Sequence, residues 1–130
     1  ALPAVGKIKW SGDQAAAEQF FAQNRKLVQT IGSFAVARLK EKTPPAIDDA
    51  TLKSIHDAHQ AWTTASGAFA AGLGAEQKAT LQKWSTAIST AVASMDEYKK
   101  NASAAYLWEA ESALMQALFA ESDMLAAIKA

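Results

Sequence analysis

Two histidines three residues apart, His56 and His59, and a distant carboxylate, Glu111, are the groups in this sequence best suited to coordination or proton transfer. On a helix a three-residue spacing puts both imidazoles on roughly one side, and imidazole with carboxylate suits zinc or another divalent ion. A mononuclear site from His56, His59 and Glu111 is therefore one reading. A di-iron centre is not, because it requires Glu-x-x-His on two helices and the chain contains no Glu-x-x-His.

Haem is the second cofactor reading. The chain has no cysteine, so covalent attachment through Cys-x-x-Cys-His is excluded. A non-covalent tetrapyrrole would take His59 as axial ligand, with Met95 or Met115 as a second, and Trp62, Phe69 and Trp84 as apolar walls. The small residues Ser66, Gly67, Ala70 and Ala91 would leave it space. Each of these residues also has a plainer reading. Methionines and aromatics at helical spacing normally fill a core, and a buried histidine beside a carboxylate normally forms a hydrogen-bonded pair that fixes helix register. Hydrolytic and phosphate chemistry have no support, since the sequence lacks a Gly-rich phosphate loop, a Gly-x-Ser-x-Gly elbow and a His-Glu-x-x-His.

The elements that must position these groups are helices. Leu52, Ile55, His59, Trp62, Ser66, Phe69 and Leu73 recur at three and four residues and form one apolar seam interrupted by an imidazole and a hydroxyl. Three other segments carry comparable seams. The pattern predicts helices over about 14–42, 49–72, 75–100 and 103–129, after an extended lead-in over 1–10 whose Trp10 is available to cap the bundle end. Ser11 and Asp13, Asp48 or Asp49, and Ser103 offer N-caps. Thr43-Pro44-Pro45 stops the first helix and Gly72-Leu73-Gly74 the second, while Asn101 is expected to turn left-handed after the third. The fourth seam is Leu107, Leu114, Leu118, Leu125 and Ile128, flanked by Trp108, Met115 and Phe119. Short connections make consecutive helices antiparallel neighbours, so the expected fold is an all-α, up-down-up-down four-helix bundle forming a single domain.

Axial arithmetic then places the polar residues in layers. At 1.5 Å per residue, His59 and Glu111 lie about 15 and 12 Å from one bundle end, with Ala91 opposite them leaving room. Asn24 and Glu121 share a second layer about 27 Å down, with Ser66 near it. In Asn24 this resembles the polar seam residue that sets register in coiled coils, and the Ser66 hydroxyl can bond back to its own helix.

Composition bounds the function. Basic and acidic residues balance at 13 each, so there is no positive excess to hold nucleic acid, and charges interrupt every apolar run before the length of about 20 residues that a membrane span needs. The chain begins Ala1-Leu2-Pro3 without Met, the form left by signal-peptide removal, which suggests a periplasmic or secreted protein. The sequence reading is a non-enzymatic bundle that binds a small-molecule ligand or a protein partner and needs no cofactor. His59, Glu111, Trp62, Trp84, Met95 and Met115 are its candidate ligand-binding residues, and tetrapyrrole or metal binding through His59 is the alternative.

Overall fold

The computed structural model describes residues 10, 12–41 and 46–129. They form four helices and no strand: α1 (Gln14–Leu39), α2 (Asp49–Ala70), α3 (Ala75–Lys100) and α4 (Ala104–Lys129). Each start follows the local chemistry. The Asp13 carboxylate accepts from the Ala16 N–H at 3.1 Å and the Asp48 carboxylate from the Thr51 N–H at 2.6 Å, which satisfies amides left free in a first helical turn. At α3 the Gln77 side chain accepts the Gly74 N–H at 2.9 Å, and at α4 the Ser103 hydroxyl accepts from Ala105 at 3.3 Å.

The helix ends differ from expectation in three places. Helix α1 stops at Leu39, before the Thr43-Pro44-Pro45 stop, all of which lies outside the described residues, as do Ser11 and most of the lead-in. Asn101 is extended, at φ −147° and ψ 102°, not left-handed. Gly72 has no positive φ either, and α2 ends two residues before it. Its lack of a side chain serves packing: a Cβ on Gly72 would come within 2.8 Å of the Trp10 indole and one on Gly12 within 2.6 Å. Trp10 lies over the bundle end with its ring 5.0 Å from Phe69, as its position in the sequence suggests.

Cross-helix pairs fix the directions. Asn24 meets Glu121, and Gly32, further along α1, faces Glu111, earlier in α4, so these two helices are antiparallel. Phe20 packs on Phe69 whereas Asn24 bonds Trp62, which makes α1 and α2 antiparallel. Phe21 touches Trp84 and Phe34 touches Tyr98, so α1 and α3 run parallel across the bundle. The order is up-down-up-down. Helices α2 and α4 occupy the other diagonal, and no Cα atoms of the two approach within 8 Å.

The core is densest near the start of α1. Phe20 stacks on Phe69 at 5.0 Å and meets Trp62 and Trp84 edge-on at 5.1 and 4.8 Å, with Phe21 beside them. Such pairs add to the gain from burial alone. Phe69 is fully buried among Trp10, Phe20 and Phe21, so Phe69→Ala should destabilise the protein by about 3–5 kcal/mol. Urea unfolding measures this directly, and a loss of under about 1 kcal/mol, the range of surface positions, would contradict the packing described.

Candidate functional site

Asn24 holds the centre of the bundle. Its Oδ1 accepts from the indole N–H groups of Trp62 and Trp84, both at 3.0 Å, and its Nδ2 donates to Glu121 Oε2 at 2.7 Å. The shared Asn24 and Glu121 layer read from the sequence is thus a direct hydrogen bond between α1 and α4. Ser66 bonds the Thr63 carbonyl of its own helix at 2.7 Å instead. Burial pushes the Glu121 carboxyl above its usual value, and the nearby Arg25 and the Asn24 bond offset this only in part.

The second layer does not form a pair. His59 and Glu111 sit on α2 and α4, the diagonal helices. Their equal heights along the bundle hold no information about azimuth. His56 bonds Asp96 of α3 at 2.6 Å in a half-exposed bridge. Partial burial, and secondarily His56, depress the His59 pKa, with Asp96 opposing. Glu111 points to the other side, where Oε1 is buried without a hydrogen-bond partner, 4.0 Å from the position a Cβ on Gly32 would take. Burial raises its pKa. The imidazoles and this carboxylate therefore do not converge, and among the described residues no group of three or more such donors does.

The tetrapyrrole reading meets a filled space. Trp62 and Trp84, expected as its walls, touch each other at 6.2 Å and enclose Phe20, and both indole N–H groups are held by Asn24. Ala91 is packed in the core. Met95 is fully buried, whereas Met115 faces outward and half-exposed, so the two sulfurs proposed as axial ligands occupy different environments.

The clearest departure from the sequence reading lies on α4. Trp108 is 64% exposed, Met115 50%, Leu118 55% and Phe119 56%, although the apolar pattern places all four in the seam or on its flanks. At about 100° per residue, Trp108, Ser112, Met115, Phe119, Ser122 and Ala126 lie within about 40° of one line along the helix. That line is opposite the buried Ala110, Ala117 and Met124. The warning in the sequence is that Leu107, Leu114 and Leu125 stand about 100° away from Trp108, Met115 and Ala126, so one helix carries two apolar stripes and a single core takes only one.

Grooves flank this ridge on both sides. Between α3 and α4 is an open depression of about 530 Å³ with Ala87 and Ala113 among its lining, and Lys83 and Glu109 also border it. Between α1 and α4 a groove of about 330 Å³ is lined by Val28, Leu114 and Leu118 together with Arg25, Asn24 and Glu121. No helix among the described residues is long and apolar enough to cross a membrane. No protein-family model, curated protein or solved structure matches the chain.

Two outcomes follow from the buried groups. Replacing Asn24 with Leu strands two indole donors and the Glu121 carboxyl, each costing about 1–3 kcal/mol when unpaired, so a destabilisation of at least about 3 kcal/mol is expected by urea titration. A loss below about 1 kcal/mol would show that the three bonds are not formed. Glu111 and Glu121 titrate above their ordinary 4.5 in the folded protein. The unfolded chain therefore releases these protons first, and stability falls as the pH rises from about 4.5 through the raised values. Glu111→Gln and Glu121→Gln should each flatten that decline, measured as urea midpoints at about pH 4 and 7. His59, depressed below 6.5, acts oppositely as the pH falls, so the comparison is made in a His59→Gln background. Unchanged slopes in the glutamine variants would refute the assignment.

Proposed function

We propose that this protein is a non-enzymatic docking module that engages a protein partner through the outer face of α4. The observation that carries this reading is the single line of exposed apolar side chains, Trp108, Met115 and Phe119, on the face turned away from the core. Isolated surface hydrophobes need no explanation, but contiguous ones mark interaction sites, and tryptophan, phenylalanine and methionine are enriched at interface centres. His56 is engaged with Asp96, and Asn24 with Glu121 and two indoles, while His59 and Glu111 stand on diagonal helices and do not converge on a common site. The α3 and α4 groove beside the ridge gives space for partner side chains over Ala87 and Ala113.

A photo-crosslinking residue at Ser112, in the middle of the ridge, tests this in the cells that make the protein. It should give a discrete protein adduct that the same residue at Gln60 on α2 does not, and Trp108→Ser with Phe119→Ser should abolish it. Because both rings are exposed, each substitution should change stability by no more than about 0.5 kcal/mol. Absence of an adduct at Ser112, or equal adducts at both positions, would overturn the proposal.

A further inference from the structure

We infer that the occupant of the α4 face is an amphipathic helix of a different chain, with basic residues flanking its apolar seam. The inference rests on the docking reading above and adds the partner's chemistry. Along the ridge, the steps from Trp108 to Ser112, Met115, Phe119, Ser122 and Ala126 are four, three, four, three and four residues, the repeat that keeps one helix facing another. Three large side chains and three small ones share this line, so knobs from a second helix find holes at Ser112, Ser122 and Ala126. The line spans about 27 Å, which asks for a partner helix of about 18 residues or more.

Charge decides between occupants. From Ala104 to Ile128, α4 contains no lysine or arginine. One bank of the ridge carries Glu109, Gln116 and Asp123, all exposed and seven residues apart, the flanking positions that choose partners in helix pairs. Lys83 shares the groove with Glu109 and Arg25 shares the other groove with Glu121, but the α4 bank itself carries two carboxylates and no basic residue. A second copy fits poorly. Paired antiparallel, that bank meets itself and sets Glu109 against Asp123 twice; paired parallel, it meets the opposite bank of α4, which has no lysine or arginine to match it. The first places like charges together and the second leaves the acidic bank unmatched, and both disfavour the assembly relative to a basic partner. Lysines or arginines two heptads apart on a partner helix, about 21 Å, match Glu109 and Asp123 instead.

The test uses three-heptad synthetic peptides with leucine at the seam positions and either lysine or glutamate at the flanks, titrated against the whole protein. The lysine peptide should bind at one per chain, and Trp108→Ser with Phe119→Ser should weaken it at least about tenfold. Glu109→Lys with Asp123→Lys should also weaken it, by about tenfold, and should gain binding of the glutamate peptide. This exchange is a result that non-specific attraction to an acidic protein does not give. Equal binding of both peptides to the wild type, with loss in the serine variant, would overturn the basic chemistry and leave the docking face intact. Self-association abolished by the serine substitutions would make a second copy the occupant, and binding to anionic phospholipid vesicles through Trp108 would make it a membrane. Both results overturn the inference. Peptide binding indifferent to the serine substitutions, together with no crosslink at Ser112, would remove the docking reading itself.

Discussion

One carboxamide ties the four helices together. Asn24 belongs to α1, and its three hydrogen bonds go to Trp62 on α2, Trp84 on α3 and Glu121 on α4. Each helix pair also has its own apolar contacts, but hydrocarbon packing tolerates sliding and rotation far better than hydrogen bonds do. The two indole N–H groups have to be satisfied because the rings are buried. A carbonyl oxygen has two lone pairs, so a single Asn Oδ1 between Trp62 and Trp84 satisfies both. The aromatic cluster around Phe20 therefore fixes where Asn24 must lie, and Asn24 in turn fixes the height of Glu121.

Much of this was legible in the sequence. The three- and four-residue periods gave the four helices, and Asn24 and Glu121 fell at one height because axial position follows directly from residue count. The Asp13, Asp48 and Ser103 caps were readable from side-chain chemistry, whereas at Asn101 only the position of the break was, its backbone being extended where a left-handed turn is expected. Azimuth was not. His59 and Glu111 share a height yet stand on diagonal helices, facing α3 and α1 respectively, and a linear pattern gives no means of distinguishing a neighbour from a diagonal. The same limitation hid the role of Trp62 and Trp84. As apolar residues they read as walls, whereas the indole N–H groups are what the structure uses.

Helix α4 shows where apolar patterning loses its power to specify. Its Leu107 and Leu114 stripe and its Trp108, Met115 and Phe119 ridge are both hydrophobic enough to seek a core. Between them they cover most of the helix, so the fourth seam could be drawn through Leu118, which the structure leaves exposed. A helix apolar on nearly every side is normally buried all round. Here the buried face combines four alanines, Ala110, Ala113, Ala117 and Ala120, with Leu107, Leu114, Met124 and Ile128, while Trp108, Met115, Leu118 and Phe119 lie outside.

Turning the ridge inward would bury three large side chains, each worth very roughly 2 kcal/mol in area alone, so something must oppose that rotation. Two features of the packing do. Half of the residues that α4 buries are alanines, and forcing Trp108, Met115 and Phe119 into the space they occupy would overpack the interior at about 1–3 kcal/mol for each misfit. The rotation would also carry Glu121 off Asn24, leaving a buried amide donor unpaired at a further cost of about 1–3 kcal/mol. These two penalties are together comparable to the apolar gain, and they act only when α1 is in register. The bond that locks the bundle is therefore also what keeps the ridge on its surface, and a partner that covers that ridge gains the apolar burial that the fold itself forgoes.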